Sequence, residues 1–262
     1  MHDILPDMKQ LDNSSEVLTQ GVINILEKEQ RQVDTYRPFG AVDFSLPMDG
    51  DSKRFVPTLT IEGQGGEPTV TRPLNNHAFE QLLNKLNFDI RTARKTMPLA
   101  PDSFTTFIND LRKRKGDEIA FLRAYDGVGA GQGHFRAICS DRFKVIDNAN
   151  VIKTVFPVLA NSDGEWTVVK TLFSDTKMLM SFRSKKHVGE PVVNDLMALA
   201  LQITNSEVAQ GSFNLQQMML TLACLNGMLT SNNLKKKHLG KAVNLDDFQV
   251  LTPQTKQKIA DA

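Results

Sequence analysis

Clusters of basic residues carry the clearest chemistry in this chain. They are Arg112, Lys113, Arg114 and Lys115; Arg136; Arg142 and Lys144; Arg183, Lys185 and Lys186; and Lys235, Lys236, Lys237 and Lys241. Aromatic residues are interleaved with them. Arg123 alternates with Phe121 and Tyr125, and Phe143 lies between Arg142 and Lys144. That combination suits a single nucleic-acid strand: cations track phosphates, and rings stack on bases for about 1–3 kcal/mol each. An ordinary solvated surface is the competing explanation. The formal net charge is only +1, so no global field draws the chain to nucleic acid or to a membrane. Arg112–Lys115 also has a local explanation, because cations in a last helical turn favour the helix dipole by about 0.3–1 kcal/mol each.

Other chemistries find less support. His2, His77, His134, His187 and His238 are scattered, without HxH, HExxH or CxxC spacing, so neither a zinc site nor a cofactor is expected. No Gly-x-Ser-x-Gly elbow points to a serine hydrolase. Asp141, Asp147, Asp163, Glu165 and Glu207 are available to a metal-dependent nuclease, but their spacing follows no recognisable pattern. The glycine-rich run Gly127–Gly133 looks like a nucleotide loop, yet a strand rather than a helix should follow it; a hairpin tip is expected. Cys139 and Cys224 lie in apolar segments and read as buried, reduced thiols.

A polar knot interrupts the longest apolar passage, Asp195–Leu229. Asn205, Ser206 and Glu207 sit directly against the run Leu196–Ile203, and Asn226 follows Met218–Leu225. Unpaired buried polar groups cost about 1–3 kcal/mol each. The knot therefore either lies at the surface end of a strand or forms a satisfied structural network.

The elements that must position these residues follow from periodicity. Helical spacing is expected from Ser15, with Val17, Leu18, Val22, Ile25 and Leu26 on one face, ending before a break at Tyr36–Gly40. Val42–Leu46 and Phe55–Ile61 alternate as strands, and Pro57 predicts that the second is an edge strand. Asn75 or Asn76 caps a helix, and Ser103–Lys115 forms another. Glu118–Tyr125 and Phe135–Ser140 read as paired strands, followed by a helix capped by Asp147 or Asn148. Trp166–Phe173 and Lys177–Arg183 make a hairpin, with Lys177, Leu179, Ser181 and Arg183 on one face. A basic loop (Arg183–Gly189), a strand (Asp195–Ile203) and a helix (Asn214–Leu225) are expected next. Strands and helices occur in runs without βαβ alternation, which predicts an α+β fold: a curved, mainly antiparallel sheet of hairpins with helices on one face.

The chain is divided into a polar arm (1–15), one α+β domain (16–241) and a polar tail (242–262). No signal peptide is expected at the N-terminus, and no segment is apolar for long enough to span a bilayer.

The stretch ITNSEV…GS…L…CLNGM resembles the phage and plasmid family called domain of unknown function 932. Asn205, Ser206, Glu207, Val208, Gly211, Ser212, Cys224, Asn226 and Gly227 match its pattern; Ala209 stands where the family commonly has Gly, and Leu225 where it has Thr. Phe135–Lys144 with Asp147-Asn148, and Lys237-His238-Leu239-Gly240, match in the same order. The resemblance implies a cytoplasmic protein of a bacterial host cell, concerned with DNA replication, recombination or host evasion. Taken with the basic and aromatic residues, the expectation is a non-enzymatic single-stranded DNA-binding protein acting in annealing, recombination, replication or transcription. A homo-oligomeric ring or filament is expected, possible contacts with phage replication or transcription proteins are implied, and no membrane partner is. The alternatives are an antagonist that binds a host-defence enzyme, and a metal-dependent nuclease.

Overall fold

The computed structural model describes residues 16–63, 65, 68–127, 133–192, 195–221 and 227–236. They fall into two compact units, Arg31–Phe143 and a second made of Met1–Gln30 with Lys144–Ala262. The fold is α+β, with helices packed against antiparallel sheets, as the order of elements predicts.

The Arg31–Phe143 unit contains β1 (Gln32–Pro38), β2 (Val42–Ser45), β3 (Thr58–Ile61), β4 (Val70–Pro73), α2 (Asn76–Lys85), α3 (Ile90–Thr96), α4 (Pro101–Arg114), β5 (Ile119–Tyr125) and β6 (His134–Ser140); α1 belongs to the other unit. The strands form two antiparallel sheets, β1-β5-β6 and β2-β3-β4. Helix starts follow local chemistry. The Asn75 side chain accepts the Ala78 N–H at 2.8 Å, Asp89 accepts the Thr92 N–H at 2.8 Å, and Pro101 occupies the first turn of α4. One face of β5 (Ala120, Leu122 and Ala124) joins Phe44, Phe79, Phe104 and Ile108 in the core.

Three expectations change here. Tyr36–Pro38 is not a break but the end of β1, because Gln32, Asp34 and Tyr36 pair across to Tyr125, Arg123 and Phe121. β3 is the central strand of its sheet, since Pro57 lies just before it and leaves the ladder intact. α3 has no counterpart in the sequence-based assignment; its apolar face is too short to set a period.

The second unit contains α1 (Glu16–Gln30), α5 (Asn148–Ala160), β7 (Trp166–Phe173), β8 (Met178–Val192), β9 (Asp195–Asn205), β10 (Phe213–Thr221) and β11 (Gly227–Lys236). The strands form one antiparallel sheet in the order β11-β10-β9-β8-β7. One face packs on the helices: Val22 and Leu26 of α1 and Ile152, Val155 and Phe156 of α5 meet Met180, Phe182, Leu201, Ile203, Phe213 and Leu215.

Two further corrections follow. Arg183–Gly189 is not a loop but part of β8, where the register jumps from Arg183↔Ala200 to Val188↔Ala198. The extra residues form a bulge, anchored where the Ser184 hydroxyl donates to the Gly164 carbonyl at 2.6 Å. Asn214–Leu225 is not a helix: through Thr221 it is β10, with Phe213 and Leu215 in the core and Asn214 and Gln216 on the opposite face. Period two wins over the helical assignment because β9 offers an unbroken ladder from Asn214 to Thr221 and β11 pairs on the other side. β3 is paired on both sides, and Val22 and Leu26 of α1 pack into the core of their own unit. No described helix is long and apolar enough to cross a membrane.

Candidate nucleic-acid interface

In β5, alternation sends Phe121, Arg123 and Tyr125 to the face opposite the Ala120–Ala124 core. That face is buried as well. Arg123 is 0% exposed. Its Nε donates to both Asp34 oxygens (3.2 and 3.1 Å) and its guanidinium donates again to Oδ2 at 2.9 Å, while lying 5.7 Å from the Phe121 ring centre. Arg136, also 0% exposed, donates to the Tyr125 hydroxyl at 2.7 Å and to Gln32 Oε1 at 2.6 Å, and lies over the Tyr125 ring at 4.4 Å. Tyr36, Phe121 and Phe143 stack in series, with centroids 4.5 and 6.2 Å apart. Phe143 is buried, whereas Tyr36 is 51% exposed at the end of the stack. Burial, and then Asp34, raise the Tyr36 hydroxyl above its ordinary pKa, so it stays neutral.

Arg112 is likewise interior. It pairs with Asp43 at 2.5 Å and donates to the carbonyls of Phe39 and Gly40, tying α4 to the turn before β2. Burial lowers its guanidinium from the ordinary value, and Asp43 opposes that shift. Arg112, Arg123 and Arg136 thus serve internal partners, and Tyr125 and Phe143 are packed inside the structure. Lys113, Arg114 and Arg142 are exposed. Lys115 pairs with Glu118 at 3.1 Å, and Lys144 is half-buried. Burial pushes the Cys139 thiol up to about 11.

The second unit gathers a different set. Cross-strand register places residues in rows on the sheet face away from α1 and α5. One row is Leu179, Thr204 and Asn214; the next is Ser181, Gln202 and Gln216. Arg183, Ala200 and Met218 form the third. Gln202 donates to the Ser181 hydroxyl and Asn214 to Gln216, both at 3.4 Å. Lys170, Lys177 and Lys185 are exposed and Arg183 is half-buried around this face. None of the four makes an ion pair among the described residues. Lys186, by contrast, pairs with Asp163 at 2.7 Å and Glu165 at 3.4 Å. Lys235 and Lys236 lie on β11; Lys237 and Lys241 are outside the described residues.

The polar knot sits at one end of this sheet. Asn205 Nδ2 donates to the Ile146 carbonyl at 2.7 Å and to Asn148 Oδ1 at 2.9 Å. Glu207 Oε1 accepts the Asn148 N–H at 2.6 Å, placing a carboxylate at the start of α5, where the helix dipole favours it. Ser206 Oγ accepts the Gln210 N–H at 3.0 Å. Asn226 is outside the described residues. Beside the knot opens a cleft of about 430 Å³, walled by Leu172, Met178 and Leu179 on one side and Thr204, Ser212 and Asn214 on the other. Asn205 also lines it, and Lys177 stands at its wall.

Sequence reasoning missed Lys170, Gln202, Asn214 and Gln216 as a set. The signal that marks Asn214 and Gln216 is the strand alternation of Phe213–Met218. Among the described residues, no three His, Cys, Asp or Glu side chains cluster to hold a metal ion. No family model, curated protein or solved structure matches the chain.

Proposed function

We propose that this protein binds single-stranded DNA along the outer face of its five-stranded sheet. It acts without chemistry of its own, in the bacterial cytoplasm, as a phage or plasmid protein of annealing, recombination, replication or transcription. The observation that carries this is the outer face itself: rows of amides and hydroxyls edged by Lys170, Lys177, Arg183 and Lys185, cations with no acidic partner among the described residues. Unpaired cations are available to phosphates, and amides can hydrogen-bond exposed base edges that a duplex hides. From Lys177 to Arg183 the strand extends about 20 Å at roughly 3.3 Å per residue, room for a few nucleotides. The likeness of Asn205–Val208 and Asn226-Gly227 to the phage and plasmid family supports the setting. Annealing adds a requirement for several copies that hold bases in order, so the reading includes a homo-oligomer larger than a dimer.

A gel shift comparing single-stranded and duplex DNA, with and without Mg²⁺, tests the reading. Preferential retardation of the single strand without cleavage is expected. Equal or absent retardation removes single-strand binding, and Mg²⁺-dependent cleavage replaces it with a nuclease.

A further inference from the structure

β1 (Gln32–Pro38) is the end strand of its sheet and pairs with β5 alone. The ladder itself shows which backbone groups that leaves over. Asp126 N–H donates to the Arg31 carbonyl at 2.8 Å and Phe39 N–H to the Glu118 carbonyl at 3.0 Å, both in the register that joins β1 to β5. Hydrogen-bonded pairs alternate along an antiparallel ladder, so the odd-numbered residues of β1 turn their N–H and C=O toward β5. Gln32, Asp34 and Tyr36 turn theirs away, and among the described residues those groups have no backbone partner. The Tyr36 carbonyl accepts from the Arg37 guanidinium at 3.1 Å and keeps a second lone pair. The edge is open on both faces: Tyr36 is 51% exposed on one and Val33 is 38% exposed on the other. Sheets ordinarily protect such an edge with a lysine, a proline or a bulge. Gln32–Tyr36 contains neither lysine nor proline, and its register with β5 is unbroken.

The same edge is complementary to itself. A two-fold axis through Thr35, perpendicular to the sheet, sets two copies antiparallel with their outward groups face to face. Asp34 and Tyr36 of each copy then exchange both N–H···O bonds with Tyr36 and Asp34 of the other. Val33 falls opposite Arg37, so no like charges meet. An axis at Asp34 sets two carboxylates opposite each other, and an axis at Tyr36 sets Asp34 opposite Pro38, which has no N–H to give.

We infer that β1 pairs with β1 of a second copy of this chain, antiparallel and centred on Thr35, joining two three-stranded sheets into one. The inference rests on the homo-oligomer in the reading above and not on DNA binding. A two-fold contact closes on itself, so it supplies one of the interfaces from which a larger assembly is built.

Oxidation of Thr35→Cys with diamide, without DNA, tests this. Across the new contact Thr35 is a non-hydrogen-bonded pair with Cα atoms about 4.5 Å apart, within reach of a disulfide. Val33 lies about 13 Å along the strand from its own copy, so Val33→Cys is the control. Thr35→Cys should give a covalent dimer on a non-reducing gel, well above the level of the parent with its native cysteines, and Val33→Cys should not. In sedimentation, Val33→Lys sets a cation opposite the partner's Arg37 at two symmetric places and should weaken self-association roughly tenfold, whereas Val33→Asp should not weaken it. Equal cross-linking of the two cysteine variants, or none in either, overturns the β1 contact. So does self-association unchanged by Val33→Lys. Either result leaves strand binding and assembly through another surface standing. A parent that sediments as a monomer overturns the contact and the homo-oligomer together. A cross-linked Thr35→Cys protein that fails to retard single-stranded DNA supports the contact and removes the strand reading alone. Should Thr35→Cys fail to fold, the comparison at the exposed Val33 still decides.

Discussion

Glu207 reaches across 59 residues of sequence to accept the Asn148 N–H at 2.6 Å. With Asn205 on Ile146 and Asn148, it locks the end of β9 to the first turn of α5. Glu207→Ala removes the acceptor from a buried helix start and should lower stability by about 1–3 kcal/mol. Thermal melting checks this, and DNA affinity at a temperature where both forms are folded should match the parent's. A variant that melts like the parent yet loses DNA binding would move Glu207 from the scaffold into the site.

Asp34 faces the fully buried Arg123. Asp34→Ala removes the carboxylate that accepts three hydrogen bonds from that guanidinium and should cost on the order of 3 kcal/mol, the usual result of removing one partner of a buried pair. The shift of the urea midpoint, at unchanged slope, measures it.

Ala209 adopts a left-handed conformation, φ 61°. Glycine tolerates that region at little cost, whereas an alanine is strained there. Ala209→Gly should therefore stabilise the protein by about 0.5 kcal/mol, relief of strain exceeding the added freedom of the unfolded chain. A fall in melting temperature would contradict it.

Elements with their own period were legible from residue types: a cap at Asn75 or Asn76, which the structure places at Asn75, the paired strands around Arg123, and the shared face of Lys177, Leu179, Ser181 and Arg183. Asn214–Thr221 was not, because Leu215, Met218 and Met219 fit helical spacing as well as strand alternation, and the ladders to β9 and β11 decide between them. Burial of Arg112, Arg123 and Arg136 was invisible for a related reason. An arginine looks the same in sequence whether its carboxylate, here Asp43 or Asp34, waits about 70 to 90 residues away or not at all. The candidate site moved accordingly, from arginines on β5 and β6 to the polar rows of the five-stranded sheet.

Cys139 gives a pH signature. Its folded pKa of about 11 lies above the ordinary 9.0 because burial penalises the thiolate. An acid whose pKa is raised by folding contributes stability that is fully present below pH 9 and is lost as pH rises through about 11. The loss is on the order of 2 kcal/mol. Cys139→Ala should flatten this part of the stability–pH curve, measured by urea unfolding; an identical alkaline decline in both proteins would assign it to other groups.

The most direct test of strand binding on the outer sheet face is a salt titration of single-stranded DNA affinity, for the parent and for the triple variant Lys177→Gln, Arg183→Gln, Lys185→Gln. These side chains make no ion pairs among the described residues, so the variant should fold normally. Log K should fall linearly with log salt for the parent. The slope should be shallower by about 2 in the variant, roughly 0.7 for each phosphate that is no longer neutralised. No binding by the parent at low salt, or the same slope in both proteins, would contradict the account.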